Sequence, residues 1–143
     1  MENAVVKYLE FVLACYIVRF LATRFILEFQ FIKKFYYTRE ILPGVRNWNS
    51  RLQMIYYFEI FSFIQSLLIA LYFMTFSYFI PLKSHIKLII GFLFYASLVV
   101  ADKFRFSIIL TNYPYSLLIM DTAIFLIVSL LQFIVMAFMN ATL

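Results

Sequence analysis

Four long apolar stretches, separated by basic or turn-forming segments, occupy most of this 143-residue chain. About 20 predominantly apolar residues suffice for a helix to cross a bilayer, so the pattern restricts the chain to a polytopic membrane fold. Composition agrees. Charged residues make up 13% of the chain and hydrophobic residues 66%, against roughly 25% and 45–50% in soluble domains, and the mean hydropathy is +0.95. Every backbone polar group inside lipid must be satisfied within the structure, which leaves helices or closed barrels. With only two Gly and three Pro, there is little material for the many turns of a barrel. We therefore expect an all-α integral membrane helical bundle forming a single membrane domain.

The predicted spans are residues 4–31, 52–80, 86–110 and 115–139, with a basic loop over 33–51. The first carries Arg19 and Arg24 within its apolar run. At 100° per residue Lys7, Glu10, Arg24 and Glu28 share one side of it, and Arg19 falls nearly opposite. Such a segment either crosses the bilayer or lies in the interface as an amphipathic helix. The uninterrupted run from Phe11 to Val18 favours crossing, giving four transmembrane helices, or three if the first is interfacial. Leu42-Pro43-Gly44 breaks the basic loop, Pro81 ends the second span, and Thr111-Asn112-Tyr113-Pro114 forms the last turn. Met1 to Lys7 lacks transit-peptide character and no small-residue cleavage pattern follows, so the first stretch is expected to remain in the mature protein.

Orientation follows from the basic residues. With four spans, the first and third loops share a side and hold Lys33, Lys34, Arg39, Arg46, Arg51, Lys103 and Arg105, against Lys7, Lys83 and Lys87 on the other. The richer side is expected to face the cytoplasm or matrix. The basic segment Lys33, Lys34, Arg39, Arg46 and Arg51 is a candidate contact for anionic phospholipid such as cardiolipin. Topology accounts for most of the +5 net charge, so nucleic acid is not an expected partner.

Glu59 should lie about 12 Å into the second span from its inner end, and Asp121 about 9 Å into the fourth from the same side. Asp102 marks the inner end of the third apolar run, and Arg24 and Glu28 that of the first. These five charges are predicted to converge in one leaflet, either as a polar chamber lined by Glu59, Asp121 and Arg24 or as an interhelical network in which Arg24 satisfies Glu28 or Glu59. Stripes at Asp121, Ser129, Gln132 and Asn140, and at Glu59, Ser62 and Ser66, read as packing seams. Cys15 is the lone cysteine and His85 the lone histidine. A bis-histidine haem within the chain and a cysteine-pair site are thereby excluded, and no catalytic residue, metal site or cofactor is expected.

The latter half carries Asp102 at the end of the third apolar run, then Asn112-Tyr113-Pro114, then Asp121 seven residues after the proline. Lys34-Phe35-Tyr36 follows the first segment and Asn47-Trp48 precedes the aromatic start of the second. In these features the chain resembles a family of small bacterial four-helix membrane proteins of unknown function. Ala101-Asp102-Lys103-Phe104-Arg105 stands where that family has Tyr-Asp-Leu-Thr-Asn. The resemblance implies a four-helix fold and its topology. Composition gives a second resemblance: 19 Phe and 11 Tyr with two Gly and three Pro mark an AT-rich genome, as in protist mitochondrial respiratory subunits and in some proteins of AT-rich bacteria.

The functional expectation is a non-catalytic accessory or structural subunit that contacts other membrane subunits. A respiratory-chain or ATP-synthase assembly of a mitochondrial inner membrane is the expected setting, with a bacterial inner membrane as the alternative address. The competing expectation is a small oligomeric transporter or channel passing protons or cations along the inner-leaflet acids.

Overall fold

A computed structural model describes residues 2–37, 50–80, 84–105, 107 and 113–142. The described residues form five helices and no strand: α1 (Glu2–Glu28), α2 (Gln30–Tyr37), α3 (Arg51–Phe79), α4 (Ser84–Arg105) and α5 (Tyr115–Thr142). The expected segment 4–31 therefore stops earlier, at a bend on Phe29. Short α2 begins within that segment's last residues and takes in the start of the stretch read as a basic loop. Helix α4 of the third segment is described as far as Arg105, and the rest of that segment apart from Ser107 lies outside the described residues, as do Arg39 and Arg46.

Local chemistry sets the helix limits. Ser50, in extended backbone, caps α3 by accepting the Gln53 N–H through its hydroxyl at 3.1 Å. At the other end Ile80 returns to extended backbone, as a residue preceding a proline prefers, while its N–H still reaches the Phe76 carbonyl at 3.1 Å. The Pro114 carbonyl receives the N–H groups of both Leu117 and Leu118 at 3.0 Å, opening α5.

Helices α1, α3, α4 and α5 stand side by side with alternating direction. Tyr8 of α1 donates to the Leu67 carbonyl of α3 at 3.1 Å, and Tyr16, two turns later, donates to Glu59, two turns earlier. Cys15 meets Gln132 of α5, while Lys7 lies beside Asn140. Helix α1 thus runs antiparallel to both α3 and α5 and packs along each, whereas α4 rests chiefly on α5. One end of the bundle gathers Lys7, Ser77, Lys87 and Asn140, and the other gathers Glu59, Lys103, Tyr113 and Asp121. We refer to them as the Lys7 end and the Asp121 end.

Among the described residues three helices are long and apolar enough to cross a membrane: 55–79 in α3, 85–105 in α4 and 115–140 in α5. Helix α1 has the length, 27 residues or about 40 Å, but is interrupted by charge. It lies alongside α3 and α5 rather than across their ends.

The core occupies the half of the bundle toward the Lys7 end. Phe11, Val12 and Cys15 of α1 meet Ile69, Ala70 and Phe73 of α3 and Phe133 and Met136 of α5, all buried. Phe133 is its hub. Its ring stands edge-on to Phe73 and to Phe92, each with centroids 5.7 Å apart, and meets Tyr95 at 5.6 Å and Tyr72 at 6.0 Å. The contact of α4 with α3 depends on Gly91, where an added Cβ would lie 3.0 Å from the Phe76 ring. That absence lets the Tyr72 phenol donate to the Gly91 carbonyl at 3.1 Å.

Truncating Phe133 should cost more than truncating any outward-facing side chain. In lipid the transfer component shrinks, because the acyl chains are as apolar as the core, but the cavity and the lost ring contacts remain. We expect Phe133→Ala to lose roughly 2 kcal/mol, and Leu93→Ala, at an exposed position, to stay within about 0.5 kcal/mol. Denaturation of both variants in detergent micelles checks the contrast; equal losses would contradict the assignment of Phe133 as the hub.

Candidate functional site: a polar layer toward one end of the bundle

The apolar residues of α1 fix which of its polar residues turn inward. Tyr8, Val12, Cys15 and Arg19 recur at helical spacing on one face, so burying Val12 and Cys15 brings Arg19 into the bundle. Its Nε donates to Ser62 Oγ at 2.8 Å, and its guanidinium lies near the Glu59 carboxylate and the Tyr95 phenol. Tyr16, three residues earlier, donates to Glu59 Oε2 at 2.8 Å. An inward cation, a carboxylate and two phenols from α1, α3 and α4 thereby share one level of the bundle.

Toward the Asp121 end, Lys103 of α4 lies near Asp121 of α5, and its ammonium sits 4.5 Å from the centroid of the Phe125 ring. Tyr113 donates to Asp121 Oδ2 at 2.5 Å. Burial, and then the adjoining carboxylate, push the Tyr113 phenol well above its ordinary range. Toward the bundle's middle, the Tyr95 side chain faces Gln65 and Ser129. Beyond them Gln132 donates from Nε2 to the Cys15 carbonyl at 2.9 Å.

Among the described residues four buried side-chain atoms along this layer make no hydrogen bond of good geometry: Thr122 Oγ1 and Gln132 Oε1, and Gln65 Nε2 and Ser129 Oγ, which turn toward the Tyr95 phenol. Thr122 is 6% exposed, and Ser129 and Gln132 are fully buried. Three of the four belong to α5, where they line its inward side. No three metal-ligating side chains converge among the described residues.

The five charges expected to converge divide into two groups. Glu59 and Asp121 belong to the layer, each held by a tyrosine. Arg24 does not: it is exposed, and its guanidinium lies 5.2 Å from the centroid of the Phe20 ring on its own helix. Glu28 also faces outward and pairs with Lys33 of α2 at 2.5 Å. Asp102 is exposed on α4. The chamber lined by Arg24, and the network in which Arg24 satisfies Glu28 or Glu59, are accordingly corrected. The cation facing Glu59 is Arg19, on the opposite side of α1, and the cation near Asp121 is Lys103. Among the expected lipid contacts, Lys34 is exposed on α2, and the Arg51 side chain lies outside the described residues. Tyr16, Tyr95 and Tyr113 escaped sequence reasoning because tyrosines in an aromatic-rich membrane chain look like bulk, and Lys103 because it reads there only as a loop charge that sets orientation. The signal that singles out Arg19 was present: it is the charge set apart from the polar side of α1.

Comparison with known proteins returns no matching family model, no matching curated protein and no matching solved structure.

The Tyr113–Asp121 bond has a pH signature. A phenol whose pKa is raised on folding contributes stability that is complete below the ordinary tyrosine range near 10. The contribution fades as pH rises toward the higher folded value, because the unfolded phenol ionises first. Tyr113→Phe should therefore melt below wild type at neutral pH, with the gap narrowing above about pH 10. A gap independent of pH would refute the bond's contribution. At Thr122, removing an unpartnered hydroxyl should be neutral or stabilising, so Thr122→Val is expected to melt at or above the wild-type temperature. A loss larger than about 1 kcal/mol would reveal a partner for that hydroxyl.

Proposed function

We propose that this chain is a non-catalytic subunit of a larger membrane assembly, with α1 providing the contact. The observation that carries this reading is the outward face of α1. Val6, Glu10, Leu13, Ile17, Phe20 and Arg24 recur at alternating spacings of four and three, the spacing of a helix–helix seam, and all are exposed. Glu10 makes no polar contact among the described residues and sits eight residues, about 12 Å, along α1. With α1 upright beside three helices able to cross a membrane, that depth lies within the hydrocarbon. Ionisable side chains at such depth face a bundle interior or a partner, and Glu10 faces away from its own bundle.

The same face argues for a neighbour of a different kind. A second copy packed in parallel through this stripe would set Glu10 against Glu10, a like-charge contact that costs several kcal/mol when desolvated. A helix offering a cation or hydrogen-bond donor at the level of Glu10 and an acceptor at the level of Arg24 would satisfy both. The AT-biased composition, with 19 Phe and two Gly, favours a mitochondrial inner membrane and a respiratory-chain or ATP-synthase complex. Lys33 and Lys34 on α2, with the arginines that follow in sequence, suit an anionic leaflet such as one containing cardiolipin.

The unpartnered polar atoms of the inner layer favour a second reading, a proton or cation transporter using Glu59 and Asp121. Replacing both acids by their amides would abolish flux in liposomes on that view, and would only loosen the bundle on the first.

Extraction in mild detergent, native-gel separation and mass spectrometry test the subunit reading. Co-migration with a large heteromeric assembly is expected, and migration as a monomer or small homo-oligomer would overturn it. Glu10→Lys should release the chain from that assembly while leaving its own denaturation within about 0.5 kcal/mol of wild type.

A further inference from the structure

We propose that the Lys7 end of the α1–α3 seam is a binding site for one anionic phospholipid. Between α1 and α3, Ala4 and Tyr8 on one side and Leu71, Met74, Tyr78 and Phe79 on the other flank a shallow, open groove of about 460 Å³. Its walls are apolar apart from a few hydroxyls. Along α3 it extends over eight residues, about 12 Å, so it is elongated along the bundle axis as an acyl chain would be. Ala4 makes the notch, because a larger side chain there would fill it.

A second groove of about 230 Å³ adjoins the first, sharing Met74 and Tyr78, and brings in Lys7, Phe11, Ser77 and Asn140. The Lys7 ammonium lies 5.8 Å from the centroid of the Phe11 ring and meets no carboxylate among the described residues. At the same level Lys87 donates to the Ser77 carbonyl at 2.9 Å. One ammonium group, a serine and an asparagine thus line the groove beside the apolar one, with the Lys87 ammonium one step removed on the Ser77 carbonyl. A cation with polar groups beside apolar walls matches a phosphate ester carrying acyl chains, and neither a free phosphate nor an uncharged lipid uses both parts. The site lies at the opposite end of the bundle from Lys33 and Lys34, so the basic segment expected to touch lipid does not account for it. It depends on the chain crossing a bilayer and is independent of whether the chain joins a larger assembly.

The test uses the full chain, stripped of lipid in detergent and titrated with phosphatidylglycerol or phosphatidylcholine under native mass spectrometry. One phosphatidylglycerol should bind in preference to phosphatidylcholine. Lys7→Gln should weaken phosphatidylglycerol about fivefold, the share of one basic residue near a membrane surface, and leave phosphatidylcholine unchanged. Ala4→Phe should weaken both lipids, whereas Lys34→Gln at the far end should change neither. Glycerol 3-phosphate should not compete. Unchanged binding in Lys7→Gln or Ala4→Phe, or competition by glycerol 3-phosphate, would overturn the proposal. If Ala4→Phe fails to fold, a phosphatidylglycerol with a photoreactive acyl chain reads the same groove in the wild-type chain. Labelling at Met74 or Tyr78 supports the site, and labelling only elsewhere refutes it. A photoreactive group at position 78 that captures a protein helix in native membranes, rather than lipid, would assign the groove to a partner instead.

Discussion

The rotation of α1 about its own axis is the constraint on which the rest of the bundle depends. With Phe11, Val12 and Cys15 turned inward, Tyr16 reaches Glu59, Arg19 reaches Ser62, and the Cys15 carbonyl accepts Gln132. One helix thereby ties α3 and α5 together, although these two touch each other little directly. The same rotation turns Glu10 and Arg24 outward. Inward and outward chemistry of α1 are two results of one packing decision, and the apolar residues make it.

Along its axis the bundle changes character. Toward the Lys7 end, interlocked rings around Phe133 hold the helices by shape; toward the Asp121 end, phenols, carboxylates and two cations hold them by hydrogen bonds and charge. In lipid the two modes are complementary. Ring packing gains little from the hydrophobic effect when acyl chains are the alternative, whereas an unmade polar bond has no water to fall back on. Gln65, Ser129 and Gln132, each with a buried polar atom that makes no hydrogen bond of good geometry, lie where the two regimes meet.

The all-α architecture and helix limits near Ser50, Pro81 and Pro114 were legible in the sequence, because apolar length and proline chemistry act locally. The site was legible only in part. Glu59 and Asp121 stand out as acids within apolar runs, and counting residues from the helix ends gives their depth. Their partners could not be counted out the same way. Arg24 looked closer to the acids in depth, but depth carries no azimuth, and the face a helix presents is decided by which apolar residues find neighbours. Asp102 illustrates the same gap, since it ends the right helix at the right height and points outward. Tyrosines were invisible for another reason: one residue type serves as apolar filler at one position and as a donor to a carboxylate at another.

The Gln132–Cys15 contact joins residues 117 positions apart, and it has a consequence for how the chain comes together. Helix α1 emerges first during synthesis, yet one of its two main neighbours, α5, is the latest of the five helices. Until α5 arrives, Cys15 and Phe11 lack half their surroundings, and Arg19 has only α3 and α4 to turn to. Closure of such a ring of helices waits for its most distant pairing, whose loop entropy must be met before the α1–α5 contacts form. The nascent bundle is therefore an open arc with a buried-type cation on its inner edge. That edge stays open for as long as translation of the intervening residues takes.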